Sequence, residues 1–194
     1  FFSTSITNAQ VQLLALTSGG VTSLQNAASY TVSGGELEAN WYAMDGLVLS
    51  LSGVYLDGKY NKFIGEGFSP TTGLNEQNVD FSGNKTVRTP EFTGTAAINY
   101  TFAFLFGTEA EIGGDAYYND GFFYDPRNTV VQPDYVIYNA RVGIYDPSTR
   151  IRVTLFGKNL SDEAFFTQKY RFDFGETGIW GAARTYGLTV TWTY

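Results

Sequence analysis

A chain of 194 residues can bury a sizeable single core, yet no apolar run here approaches the ~18 residues that a spanning helix requires. The formal charge of −7 argues against a nucleic-acid binder, which presents a basic face. Cys and His are both absent, which removes disulfides, thiolate sites, and the usual proton shuttle and transition-metal ligand. The missing apolar run excludes helical membrane proteins but not membrane barrels, because every second residue of a barrel strand faces a polar lumen. Gly 22, Phe 16 and Tyr 14 are high counts, as expected where tight turns and aromatic girdles dominate. The chain opens Phe1-Phe2-Ser3, without Met, basic region or cleavable apolar stretch, which predicts a processed product or a piece of a longer chain.

Alternation of apolar and polar residues, the two-residue period of a strand, runs through eight segments. In 6–15, Ala9, Val11, Leu13 and Ala15 oppose Asn8, Gln10 and Gln12. In 29–42, Gly35, Leu37, Ala39 and Trp41 oppose Glu36, Glu38 and Asn40. In 46–57, Leu47, Leu49, Leu51 and Tyr55 oppose Ser50 and Ser52. The fourth, 91–102, sets Ala96, Ile98, Tyr100 and Phe102 against Thr93, Thr95, Asn99 and Thr101. The fifth, 106–119, sets Ala110, Ile112, Ala116 and Tyr118 against Glu109, Glu111, Asp115 and Tyr117. In 135–145, Tyr138, Ala140, Val142 and Ile144 oppose Asn139 and Arg141. In 150–158, Ile151, Val153 and Leu155 oppose Arg152, Thr154 and Lys158. The last, 184–194, is the clearest: Tyr186, Leu188, Val190, Trp192 and Tyr194 alternate with Gly187, Thr189, Thr191 and Thr193.

The apolar face carries no charge except at its ends, whereas Glu36, Glu38, Glu109, Glu111, Asp115, Arg141, Arg152 and Lys158 share the other face. A bilayer enforces this segregation, since a charge facing lipid at mid-membrane costs ~2–4 kcal/mol. The connections alternate in length. Those at 43–46, 103–105 and 146–149 are short; those at 16–28, 58–90, 119–134 and 160–183 are long. Short periplasmic turns and long outer loops are the pattern of outer-membrane barrels, and its parity puts Tyr194 on the short-turn, periplasmic side. Trp41, Phe102, Phe104, Phe106, Trp192 and Tyr194 cluster at that end. Tyr55, Tyr60, Phe63, Tyr118, Phe122, Phe123 and Tyr135 cluster toward the long loops, as two interfacial belts would. The expected fold class is therefore all-β, an antiparallel transmembrane barrel wall with about eight strands.

Gly157-Lys-Asn-Leu-Ser-Asp-Glu-Ala-Phe-Phe166 followed by Arg184-Thr-Tyr-Gly-Leu188 and an aromatic terminus resembles the C-terminal signature of TonB-dependent outer-membrane receptors. Ser33-Gly-Gly-Glu-Leu-Glu-Ala-Asn-Trp41 before Asp45-Gly-Leu-Val-Leu49, and Pro90–Tyr100 before a short turn, resemble internal patterns of the same barrels. The resemblance implies a ligand-gated, TonB-driven importer of a scarce nutrient of the siderophore-iron, cobalamin or glycan class. It further implies about 22 strands around a plug. Residues 1–194 then correspond to the C-terminal segment of such a barrel, with no plug among them. The remaining barrel, the plug and, through it, TonB are the expected partners, on the same or another chain. Outer-membrane lipid and lipopolysaccharide complete the set.

Two loop clusters are candidate substrate contacts through stacking and charge: Phe122, Phe123, Tyr124 and Arg127 in one, Phe165, Phe166, Tyr170, Arg171 and Phe172 in the other. Self-packing of the loops and contact with lipopolysaccharide account for the same residues. Glu109, Glu111 and Asp115 facing Arg141 and Arg152 read as a charge ladder that holds barrel register, or as a guide for substrate. A glycosidase-type carboxylate pair is disfavoured, because two residues on one strand face lack a groove between them. Oxygen-rich stretches at 75–80 and 115–120 lack the spacing of a Ca²⁺ loop. Neither catalytic residues, nor a metal site, nor a cofactor is expected. The rival expectation is a self-contained eight-stranded barrel with a structural or adhesive role, against which the small and charged polar-face residues argue, since a narrow barrel needs a filled interior.

Overall fold

The computed structural model describes residues 1–15, 21–172 and 175–194, with the side chains of 11–28 excepted. Its main element is one antiparallel sheet of eight strands: β1 (Phe2–Ala15), β2 (Val21–Met44), β3 (Leu47–Lys62), β6 (Phe92–Ala103), β7 (Glu109–Asn119), β10 (Tyr135–Asp146), β11 (Ile151–Lys158) and β14 (Thr185–Trp192), adjacent in that order. The connections between them hold three two-stranded ribbons: β4 (Ile64–Phe68) with β5 (Asn75–Asp80), β8 (Phe122–Phe123) with β9 (Val131–Gln132), and β12 (Phe166–Phe172) with β13 (Gly175–Trp180). The fold is all-β, as expected. The sheet does not close: β1 and β14 stand at its two edges.

Register carries the alternation across the sheet intact. Opposed residues share a face, and Leu37 opposes Gly53, which opposes Gly94, which opposes Tyr118. Ile112 opposes Val142, which opposes Leu155, which opposes Leu188. The apolar residues of seven strands, β2 to β14, thus form one continuous surface, and Leu37, Leu51, Ile98, Ile112, Tyr138, Leu155, Leu188 and Val190 are all exposed on it. An exposed apolar area of this extent belongs against another apolar phase. The expected faces of Val11, Leu13 and Ala15 fall on side chains outside the described residues.

The short turns are locally encoded. At Asp45-Gly46 the chain needs a left-handed residue, φ +77° at Gly46, and a Cβ there would stand 1.9 Å from the Thr101 carbonyl oxygen, so only Gly fits. The Thr101 N–H donates to the Gly46 carbonyl at 2.9 Å, tying this turn to β6. In the 147–150 turn, Asp146 Oδ1 accepts from the Ser148 N–H at 2.8 Å while its Oδ2 accepts from Thr149 Oγ1 at 2.9 Å. The third turn contains a 3-10 segment, Leu105–Gly107, and ends later than expected, so β7 begins at Glu109 instead of 106.

Two expectations are corrected. The connection 16–28 is not long: β2 begins at Val21 and pairs with β1 down to Val21↔Ala15. Its Ser, Thr, Gln and Asn content resembles a loop, and no strict alternation marks the strand in the sequence. Tyr60 and Phe63 are not girdle residues. With Phe81 they form the buried cluster of the molecule, ring centroids 5.0 and 5.1 Å apart, under the loops at the end of β3. The loops fold down and bury the inner face there, which β3 records in alternation: Tyr55, Asp57, Lys59 and Asn61 are exposed while Gly58 and Tyr60 are buried.

Candidate functional site

Three long connections meet above the sheet. Asn128 joins the second to the first twice: its Oδ1 accepts from the Lys85 N–H at 2.9 Å and its Nδ2 donates to the Lys85 carbonyl at 3.0 Å. Asn84 Nδ2 also donates to the Pro126 carbonyl at 2.8 Å. The second is joined to the third through Phe166, whose N–H donates to Gln132 Oε1 at 2.9 Å and whose carbonyl accepts from the Tyr124 hydroxyl at 2.6 Å. Asp125 shapes the tip of the second loop, accepting from the Thr129 and Val130 amides at 2.8 and 2.7 Å. Side chain to backbone bonds of this kind fix loops that have no ladder of their own.

Between these loops and the inner face of β1–β3 lies a pocket of about 560 Å³. Its walls include Tyr30, Tyr60, Phe68, Phe81, Tyr124 and Tyr170, and its cations are Arg88, Arg127, Lys169 and Arg171. Three of the four cations are already paired. Arg127 donates to Glu76 at 2.8 Å, Lys169 lies 2.7 Å from Glu176, and Arg171 bonds the same carboxylate. Hydrogen bonding from Arg127 holds the Glu76 carboxyl below the ordinary range, and Lys169 followed by Arg171 does so for Glu176. Arg88 forms no ion pair among the described residues. Its guanidinium stands 5.9 Å from the centre of the Tyr124 ring, and burial pushes the Tyr124 hydroxyl up against the opposing influence of Arg88. Arg127 Nε, buried, also lacks a hydrogen-bond partner among the described residues. Glu66 and Asp125 also line the pocket, so what it offers an anion is local: flat aromatic surfaces with the Arg88 guanidinium and Arg127 Nε uncommitted beside them.

Of the expected substrate contacts, Tyr124, Arg127, Tyr170 and Arg171 line this pocket. Phe122 and Phe123 instead border a smaller cavity of about 300 Å³ beside Lys85, and Phe165 stacks on Tyr135 at 4.8 Å. Phe166 stacks on Trp180 at 3.8 Å and braces the β12–β13 ribbon. Sequence reasoning missed Arg88, Tyr30, Phe68, Phe81 and Lys169. Arg88 sits in an unremarkable Thr-Val-Arg-Thr-Pro stretch, and only the fold brings it against Tyr124.

The charged residues of the polar face separate into a network and a remainder. Arg141 Nε donates to Glu111 Oε1 and Arg152 to Glu111 Oε2, each at 2.8 Å, and Arg141 also donates to Asn99. The Arg141 side chain passes over Gly113, where a Cβ would stand 2.8 Å from its guanidinium carbon. Asn139 donates to Asp115 at 2.7 Å. Arg152 and Lys158 lie over the rings of Tyr145 and Phe156 at 5.0 and 5.6 Å. Glu36, Glu38 and Glu109 form no ion pair among the described residues. Those residues also contain no group of three or more acidic side chains placed to hold a metal ion.

The fold is shared with solved receptors. The ferric yersiniabactin uptake receptor FyuA from Yersinia pestis matches 97% of this chain with 26% of its own, at 18% identity and a TM-score of 0.76. The siderophore receptor PiuA from Acinetobacter baumannii matches 97% of this chain with 24% of its own, at 24% identity and a TM-score of 0.69. BauA, the ferric preacinetobactin receptor from Acinetobacter baumannii, follows at 15% identity, 97% and 26% coverage, and 0.66. The chain thus spans about a quarter of the length of these structures. No curated protein matches it by sequence. The family described as TonB dependent receptor-like, beta-barrel matches residues 1–160, and with the open, apolar-faced antiparallel sheet this establishes that the chain belongs to the TonB-dependent receptor β-barrel family.

Proposed function

We propose that residues 1–194 form the C-terminal segment of the barrel of a TonB-dependent importer in the outer membrane of a Gram-negative bacterium, with Tyr194 on the periplasmic side. The apolar face then meets lipid and the charged face lines the lumen. β1 and β14 continue into further strands of a barrel of about 22, and a plug elsewhere in the protein contacts TonB. The open edges oppose the rival reading of a self-contained eight-stranded barrel. The chain's part is wall and outer loops, not catalysis.

For the substrate we favour a ferric siderophore over cobalamin or a glycan. The observation that carries this is the pocket, with Arg88 unpaired over Tyr124 among aromatic walls. An anionic iron chelate with aromatic or flat donor groups supplies a counter-charge for Arg88 and a face that stacks on these aromatic walls, while a neutral glycan leaves Arg88 without an ion pair. In this reading Tyr124, Arg127, Tyr170, Arg171 and Arg88 touch substrate. Phe122, Phe123 and Phe165 hold the loops, and the Glu111 network keeps the register of the wall. The test is uptake of radioactive iron by cells whose sole siderophore receptor is the intact protein, with and without TonB. Uptake should require both, and Arg88→Ala should raise the half-saturating concentration about tenfold, as loss of one charged hydrogen bond does. Uptake that persists without TonB, or an Arg88 variant that behaves as wild type, overturns the reading.

A further inference from the structure

Arg88 stands in the pocket wall in a conformation that its own chemistry disfavours. Its φ is +54°, left-handed backbone in which a Cβ crowds the following carbonyl oxygen. Among the described residues, Phe106 and Arg150 are the other side chains besides Asn and Asp in this region, and both lie in short turns. Arg88 lies instead in a long connection, lining the pocket with Val87 and Thr89. Such a residue persists only where its surroundings fix it.

The local cause is unequal chain length. Beyond the Tyr55↔Phe92 pair the connection itself runs along β3. The Leu56 N–H donates to the Glu91 carbonyl at 2.8 Å, and the Thr86 N–H donates to the Gly58 carbonyl at 3.0 Å. Between these anchors β3 has Asp57 alone, whereas the connection has Val87-Arg88-Thr89-Pro90, so it arches off the strand. Gly58 lets the arch approach: a Cβ there would stand 2.3 Å from Thr86 Oγ1 and 3.2 Å from the Thr89 methyl carbon. Thr89 Oγ1 donates to the Val87 carbonyl at 3.1 Å, and the Arg88 N–H donates to the Phe123 carbonyl at 2.8 Å. The Val87 N–H donates to the Tyr60 hydroxyl at 3.4 Å. Tyr60 is the firm base of this arrangement. It is buried in β3, with its ring centroid 5.0 Å from that of Phe63 and 6.3 Å from that of Tyr30.

We propose that the Tyr60 hydroxyl is a positioning group for Arg88, and that through it the buried ring cluster sets a preference for anionic over neutral iron chelates. The inference rests on the substrate reading of the pocket given above. An arginine already held beside Tyr124 loses little side-chain freedom when an anion binds, whereas a wandering one loses much. Without the Tyr60 bond the arch relaxes out of the left-handed region and carries the guanidinium off the Tyr124 ring. A neutral chelate draws nothing from that charge and is indifferent to the loss.

The test titrates the intact receptor in detergent with radioiron complexes of a tris-catecholate and of citrate, both anionic, and of a neutral tris-hydroxamate. Tyr60→Phe keeps the ring and removes the hydroxyl, so the heat-modifiable gel shift should stay that of the folded barrel. Binding of the anionic complexes should weaken about fivefold, as loss of one hydrogen bond does, and that of the hydroxamate should not change. In an Arg88→Ala background the same substitution should have no effect, because the group it positions is gone. Without ligand, hydrogen exchange at the Val87 and Arg88 amides should quicken in Tyr60→Phe while exchange in β3 does not. Unchanged anion binding or unchanged exchange in Tyr60→Phe overturns the proposal. So does an effect of equal size with and without Arg88, or equal weakening of the neutral complex. An Arg88→Ala receptor that binds as wild type, or a wild type that binds no anionic complex, overturns the substrate reading itself, and this inference with it.

Discussion

Glu111 is the residue on which the polar face turns, because it alone satisfies two arginines from two other strands. The three side chains are partly exposed, so each pair on its own is worth little, but both share one carboxylate and Arg141 is tied further to Asn99. Glu111→Ala leaves two guanidinium groups facing each other without a counter-charge. It should destabilise the folded receptor by about 1–2 kcal/mol, whereas Glu38→Ala, which breaks no ion pair, should be neutral. The temperature at which the heat-modifiable band disappears compares the two, and equal shifts would remove Glu111 from its role. In the outer loops, Glu176 brings a pH dependence. Hydrogen bonds from Lys169 and then Arg171 hold its carboxyl below the ordinary carboxylate range. A depressed folded-state value means the stabilisation is complete above the unfolded value and is lost as pH falls through the folded one. Acidification below the ordinary carboxylate range should therefore loosen the β12–β13 ribbon and unstack Trp180 from Phe166. The difference in emission between the intact receptor and its Trp180→Phe variant reads this directly, and Glu176→Gln should abolish the transition.

At the scale of the element, the two faces of β14 make the sharpest test. Leu188 and Val190 are exposed on the apolar side, while Thr189 opposes Thr154 on the other. Leu188→Arg should cost about 2–4 kcal/mol and block assembly, and Thr189→Arg should assemble nearly as wild type. Equal gel shifts for the two would sink the assignment of faces. All eight wall strands were legible in the sequence because a two-residue period with one lipid-like face leaves little freedom in register. What escaped has physical reasons. The outer part of β2, 21–28, carries Ser, Thr, Gln and Asn without a strict two-residue alternation and reads as loop. Tyr60 and Phe63 continue the strand period but are buried by loops that fold onto them, a long-range contact with no local signature. The pocket was half legible: Tyr124, Arg127, Tyr170 and Arg171 stood out as aromatic and cationic clusters, whereas Arg88 and Tyr30 become neighbours of them only through the fold.

At the scale of the whole molecule, the edges decide what the chain is. In the sheet order β1 and β14 are terminal, and neither bonds the other. In hydrocarbon an unpaired edge leaves backbone N–H and C=O groups unsatisfied at several kcal/mol apiece, so lipid tolerates no such edge. The free edge of β14 alone presents eight residues, Thr185–Trp192, and β1 presents fourteen. If these edges bond to strands of a larger barrel, residues 1–194 expressed alone should not yield a monodisperse monomer in detergent. They should aggregate or associate edge to edge, while the intact receptor folds. Cysteines placed in turn along β1 and β14 separate the two architectures directly. In a closed eight-stranded barrel β1 and β14 are neighbours about 5 Å apart, within disulfide reach; in a wide barrel of 22 strands they lie far apart on the wall. The chain should give no intramolecular bond between them, in isolation or within the intact receptor. A disulfide-linked monomer of the 194-residue chain that resists heat as a folded barrel would establish the small closed form and refute the larger one.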